Sequence, residues 1–205
     1  VINDCPFCLS GPHLDNVRGE DASDHHTVSD RVLYDGAYSY LMAGLGALVF
    51  PYILFVTKRH ITGIDMATLQ ERVELREMLD RCLDSKLFPS GRLSLFEHGG
   101  SGGESCSCVD HCHIHIVDGA FDLANLLSTA RSAAVAWTVE FDEAGVLPVT
   151  TPYVWAGRYQ LGRENIEAFV HPAAGLGQQY FRRLLAAWIR TEHWNWRISP
   201  GWDNV

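Results

Sequence analysis

Three histidines alternate along His111-Cys112-His113-Ile114-His115, and Ile116 and Val117 follow. In an extended chain alternate side chains share a face, so the imidazoles would stand in a row, about 7 Å from each to the next. Cys112, Ile114 and Ile116 would then face the other way, into a core. With 10 His in 205 residues, such a row arises by accident roughly 0.02 times per chain, which sets chance aside. Two chemistries suit it. One is a metal site built on imidazoles. The other is nucleophilic catalysis: a neutral imidazole attacks phosphorus, and water or another acceptor cleaves the resulting phosphoramidate. An ordinary histidine pKa of about 6.5 leaves much of the side chain neutral, and so nucleophilic, at pH 7.

Other residues could join this row. His98 ends a strand-like segment beside the glycine-rich run Gly99 to Gly103, where it could reach a phosphate or protonate a leaving group. Gln179 and Arg182, with Arg183, open a late helical segment, and arginine suits phosphate or base recognition; a solvated helix face is the bland alternative. Cys5-x-x-Cys8 pairs two thiols near the start of the chain. Cys106, Cys108 and Cys112 could form a second metal set, but Cys112 faces away from the row.

Several elements must position these groups. Arg31 to Asp35, Tyr38 to Met42, Tyr52 to Thr57 and Arg92 to Glu97 have strand composition. Thr68 to Lys86 is the clearest helix: Thr68 and Glu71 fit a capping box, and Leu75, Met78, Leu79, Cys82 and Leu83 share a face. His111 to Val117 is a strand. Further on, Ala133 to Phe141, Pro152 to Trp155 and Ile166 to Val170 read as strands. Leu176 to Arg190 reads as a helix with Phe181, Leu184, Leu185 and Trp188 on one face. Strands mixed with two main helices make an α+β protein.

Composition narrows the partners. A formal net charge of −9 argues against a nucleic acid polymer, which needs a basic face, but not against a small phosphorylated ligand. The most apolar stretch, Leu41 to Val56, is too short and too interrupted by glycine and proline to span a membrane. No secretion signal is visible at Val1 to Ser10, so the expectation is a cytoplasmic protein, away from membranes, with reduced thiols.

With these residues in view, the sequence resembles the histidine-triad (HIT) superfamily, whose signature is His-φ-His-φ-His-φ-φ with φ apolar. Here the matching segment is HCHIHIV, residues 111 to 117, and YILFVTKRHI, residues 52 to 61, looks like the family's strand and turn of the type GHxLVIPKxHI. The resemblance covers about residues 1 to 118. It implies a HIT-like domain over 1–118, an antiparallel sheet with one long helix, and a C-terminal extension of strands and a helix, 119–205, packed on the same domain. By the same resemblance His113 is the nucleophile, His115 helps hold the phosphate, and Ser105 and Ser107 of the preceding loop contact phosphoryl oxygens. The substrate would be a nucleoside phosphate carrying a second group on phosphorus, and the protein a homodimer. Several HIT branches bind structural zinc through an N-terminal Cys-x-x-Cys, the histidine after the LVIPK-like strand and the first triad histidine; those positions here are Cys5, Cys8, His60 and His111. Two thiolates and two imidazoles make a closed tetrahedral set.

The chain departs from the pattern at Tyr52, where many members have His, at Thr57 in place of Pro, and at Asp118, where Pro often follows the triad. The reading is a nucleotide phosphoryl-bond hydrolase. The alternatives are a nucleotidyltransferase or phosphorylase sharing the covalent intermediate, a non-catalytic nucleotide-binding module, and a catalytic metal on all three triad histidines.

Overall fold

Alternating apolar residues, rich in Val, Ile, Tyr and Phe, build the strands of a single eight-stranded sheet in this computed structural model. The structure describes residues 5–9, 31–100, 109–143 and 146–196. The strands are β1 (Val32–Asp35), β2 (Ser39–Ala43), β3 (Tyr52–Thr57), β4 (Arg92–Gly99), β5 (His113–Asp118), β6 (Val135–Glu140), β7 (Tyr153–Gln160) and β8 (Asn165–Pro172). Their order across the sheet is β1-β2-β3-β5-β4-β7-β8-β6, antiparallel at every pairing. The helices are α1 (Pro6–Leu9), α2 (Leu69–Asp84), α3 (Leu123–Ala130) and α4 (Tyr180–Trp188). The protein is α+β, with an antiparallel sheet against one long helix.

The sheet is covered on both faces. On one, Phe55, Leu93, Leu95, Ile114, Ile116 and Trp155 pack with Leu75, Met78, Leu79 and Cys82 of α2. On the other, Tyr52, Leu54, Val56, Phe96, Val154 and Ala156 pack with Leu123 and Leu127 of α3, with Phe181 and Leu185 of α4, and with Cys5 and Phe7. The long helix starts where its capping box predicts. The Glu71 amide donates to the Thr68 hydroxyl at 3.3 Å, and the Thr68 amide donates to the Glu71 carboxylate at 2.7 Å. Two otherwise orphaned donors are satisfied at once.

Several elements differ from their sequence reading. The triad strand begins at His113, two residues late, because Cys112 turns its amide to the Ile61 carbonyl, 2.6 Å away. β7 runs to Gln160, five residues past the expected end. α3, capped by Asp122 accepting from the Asn125 amide at 3.0 Å, lies in a segment the sequence left unassigned. α4 starts at Tyr180, not Leu176: Gly175, Gly177 and Gln179 all have positive φ (75°, 72° and 53°), and a left-handed run cannot continue a right-handed helix. Its buried face is Tyr180, Phe181, Arg182, Leu185 and Ala186, while Trp188, expected inside, is 47% exposed.

Candidate active site and metal cluster

β5 lies between β3 and β4, so the triad is central in the sheet. The register sets His113 opposite Val56 and His115 opposite Leu54 and Phe96. Facing residues of an antiparallel pair share a side, so His113 and His115 look toward α4 and the N-terminal segment. There they line a cavity of about 80 Å³ with Pro6, Phe7, Met42, Leu45, Tyr52, Leu54, Val109, Arg182 and Trp196. The wall is apolar apart from the two imidazoles, the Tyr52 hydroxyl and the Arg182 guanidinium.

His113 is 2% exposed, yet it stands on that wall. Its Nδ1–H donates to the His111 carbonyl at 2.6 Å. This fixes the tautomer: Nε2 carries the lone pair, the form a nucleophilic imidazole needs. The His115 ring lies 5.0 Å from that of His113 and stacks on Phe96 at 4.3 Å and 8°. Burial, with His113, His98 and Arg182 alongside, holds the pKa of His115 well below the ordinary histidine value, so it is neutral at pH 7.

Arg182 is 2% exposed. Its Nε donates to the Trp194 carbonyl at 2.8 Å, Nη1 to the Tyr52 hydroxyl at 3.2 Å, and Nη2 to the Gly46 carbonyl at 2.6 Å. Among the described residues it makes no ion pair with a carboxylate. Its three donor groups are thus taken up by two carbonyls and a hydroxyl on the cavity wall.

The first triad histidine has left the row. His111 Nδ1 lies 3.4 Å from Cys5 Sγ and 3.5 Å from Cys8 Sγ, and His60 Nδ1 lies 3.2 Å from Cys8 Sγ. The four donor atoms all lie within 4.8 Å of one another, so the set could hold a metal ion. The His111 Nε2–H donates to the Thr57 carbonyl at 2.7 Å, the kind of second bond that orients a ligating imidazole and leaves Nδ1 to the metal. Burial, and Cys5 beside it, push the Cys8 thiol up to about 11 when no cation is present; two adjacent thiolates repel, and a cation between them offsets that cost. The cluster pins α1 over the triad, where the Phe7 ring sits 5.1 Å from His113 and 5.5 Å from His111.

The remaining candidates fall elsewhere. His98, expected as an acid, does not line the cavity. It is 3% exposed, and its Nε2 accepts from the Phe181 amide at 3.3 Å, at the start of α4. Burial and the neighbouring His113, Arg182 and Arg183 lower its pKa to about 3, so it is a neutral ring and not an imidazolium at neutral pH. Its place is that of a neutral acceptor holding a helix end. Gln179 is buried, and its amide donates to the Asn195 side chain at 3.1 Å, away from the cavity wall. Ser105, Ser107, Cys106 and Cys108 lie outside the described residues. Cys112 does face away from the row: its thiol donates to Glu97 at 3.1 Å in the other core.

Sequence reasoning missed Phe7 and Trp196 as cavity residues, and it saw Tyr52 only as a departure from a pattern. Strand alternation could have placed Tyr52 on the same face as Leu54 and Val56. Only the β3–β5 register puts that face beside the triad.

Comparison with known proteins adds little at the level of residues. No family model matches the sequence, and no curated protein matches it. Among solved structures, the chain is similar to a HIT family hydrolase from Clostridium thermocellum, Cth-393, with a TM-score of 0.42 and 15% identity, over 58% of this chain and 93% of that one. No helix among the described residues is long and apolar enough to cross a membrane.

Proposed function

We propose that the protein is a nucleotide phosphoryl-bond hydrolase of the HIT type, acting through a covalent nucleotidyl-His113. One observation carries the reading: an imidazole with its Nε2 lone pair set by a backbone bond stands on the wall of a cavity also lined by Arg182, which makes no ion pair among the described residues. The triad motif and the YILFVTKRHI segment support it by resemblance. In the first step Nε2 of His113 attacks the α-phosphorus; an N–P bond forms, the bond to the leaving group breaks, and that group departs with a proton taken from solvent, which the water of the second step returns. Water then attacks phosphorus, the N–P bond breaks, and a nucleoside monophosphate leaves. Arg182 and the hydroxyls of Ser105 and Ser107 neutralise charge on the phosphoryl oxygens, while the apolar wall takes the nucleoside.

The cluster of Cys5, Cys8, His60 and His111 is assigned to structural zinc. Two sulfurs and two nitrogens at ordinary zinc bond lengths would lie about 3.6 Å apart along a tetrahedral edge, close to the 3.2–3.5 Å separations found. The ion would supply a folding constraint and no reaction step, since four protein ligands close its coordination.

The test is a screen of adenosine and guanosine phosphoramidates and dinucleoside polyphosphates, with rapid quenching and mass detection of a nucleotidylated His113. His113→Ala should lose turnover by about 10³-fold or more with its melting temperature held. Full turnover in that variant would refute the nucleophile.

A further inference from the structure

The proposed reaction needs a hydrogen-bond donor beside the nucleophile. His115 can be one only if its pocket-side nitrogen bears the hydrogen. A neutral imidazole has one N–H, and its position is decided by what the other nitrogen meets. In His115 that other nitrogen is Nδ1, 2.9 Å from the Tyr52 hydroxyl oxygen. A phenol has one hydrogen to give. Arg182 Nη1, which can only donate, already reaches the same oxygen at 3.2 Å. Arg182 thus fills one acceptor lobe of the phenol oxygen, and with the hydroxyl hydrogen directed at His115 that ring keeps its own hydrogen on Nε2.

We propose that Tyr52, oriented by Arg182, is the positioning residue that sets His115 in its Nε2–H form, so that this ring donates to the phosphoryl group while His113 attacks it. The chain of donation runs Arg182 Nη1–H to Tyr52 Oη, then Tyr52 Oη–H to His115 Nδ1. No proton changes owner along it and no bond is made or broken; it selects one of two tautomers before substrate arrives.

The surroundings hold the chain in place. Tyr52 is 4% exposed and packs edge-on to Phe96 and His115, with ring centres 6.4 and 5.6 Å away. The face of His115 is clamped by the Phe96 stack. The guanidinium is held by the Gly46 and Trp194 carbonyls and lies over the Tyr52 ring, 5.5 Å from its centre. Arg182 comes from α4 and Tyr52 from β3, 130 residues earlier. The C-terminal helix thus acts on the triad through a side chain that touches neither triad backbone.

The chemical purpose of the device rests on the hydrolase reading, but its existence does not, because the tautomer can be read without substrate. Nitrogen-15 spectra of histidine side chains separate protonated from unprotonated ring nitrogens, and the His115 signals are assigned by their loss in His115→Gln. The metal-loaded wild type should show His115 with hydrogen on Nε2. Tyr52→Phe, which removes one oxygen from a folded core, should shift that signal toward the Nδ1–H form and lower kcat by about tenfold or more, with KM changed far less. Arg182→Lys, keeping the charge but losing the fixed fork, should give a smaller tautomer shift. A wild-type His115 found with hydrogen on Nδ1 overturns the proposal. So does a Tyr52→Phe protein that keeps both the Nε2–H signal and the wild-type kcat. Should His113→Ala retain full turnover while the tautomer behaves as described, the hydrolase reading fails and the positioning role of Tyr52 stands.

Discussion

Each face of the sheet buries an arginine, and the two are held differently. Under α2, Arg72 is fully buried and donates to the carbonyls of Ile64 at 2.9 Å, Glu140 at 3.2 Å and Ala67 at 3.3 Å. Burial lowers its pKa from the ordinary arginine value, and Tyr153, Asp65, Cys112 and Glu97 nearby oppose that. On the triad face Arg182 is as deeply buried and also has carbonyl acceptors; among the described residues neither arginine makes an ion pair with a carboxylate, but a cavity opens beside Arg182 alone. Burial of a charge alone does not mark a candidate site; it is the space beside Arg182 that sets it apart.

The faces also differ in how they are closed. The α2 face is sealed by one long amphipathic helix. The triad face is closed by short pieces, α1, α3 and α4, and α1 carries Cys8 of the cluster that could hold a metal ion. Metal removal should therefore break the symmetry between them most strongly. Chelation should lower the melting temperature by about 10 °C or more, and in hydrogen exchange residues 5–9 and the triad strand should lose protection before α2 does. Equal loss on both faces would erase the distinction.

The arginines themselves give the next test. Arg72→Met should cost about 3 kcal/mol in urea unfolding, because it leaves the carbonyls of Ile64, Ala67 and Glu140 without their donor, with kcat/KM near wild type in the folded fraction. Arg182→Met frees two carbonyls, those of Gly46 and Trp194, in place of three and should cost about 2 kcal/mol, yet lower kcat/KM by about 10²–10³-fold. If both variants lost stability alike and activity alike, the two arginines would be doing one job.

Acid should act on the triad face. His98 and His115 are neutral in the folded protein with lowered pKa values, whereas in the unfolded chain they take up protons below about pH 6.5. The unfolded state then binds more protons, so stability is present above pH 6.5 and falls as pH drops through the window from about 6.5 to about 3 set by His98. The slope from that residue approaches about 1.4 kcal/mol per pH unit. His98→Gln should flatten the profile measured by denaturant titration.

The smallest effect is expected back under α2. Glu97 is fully buried and accepts from Trp155 Nε1 at 2.8 Å, from Cys112 at 3.1 Å, and from the Ile64 amide and the Tyr153 hydroxyl at 3.2 Å each. Burial raises its pKa. Glu97→Gln keeps the oxygen that serves three of these donors and should cost about 1 kcal/mol, with kcat unmoved. A large fall in kcat would show that the α2 face also tunes the triad.

Much of this was legible in the chain. The capping box at Thr68 and Glu71 located the long helix because its signal is local: two side chains and two amides within one turn. Alternation placed Cys112 opposite the triad face because a strand has period two. The segment after Asp118 was harder to read. α3 is short, and the positive φ values before α4 belong partly to Gln179, a residue type that gives no warning of them. Arg182 could be named as a binder but not told from a solvated arginine, since its side of α4 becomes buried only when the helix docks on β3.

The sequence by itself determined the chemistry on offer: imidazoles in a row, a thiol pair, and the strands and long helix that carry them. Those follow from residue type and near-neighbour spacing. The resemblance had already set His60 and His111 beside the thiols; only the tertiary structure decided which residues share the cavity wall with His113 and His115, and that His98 accepts a bond at a helix end. It also decided that an arginine from the last helix meets a tyrosine from the third strand. These pairings join residues far apart in the chain, and the register and docking that bring them together are fixed by packing of the whole sheet, which no local spacing encodes.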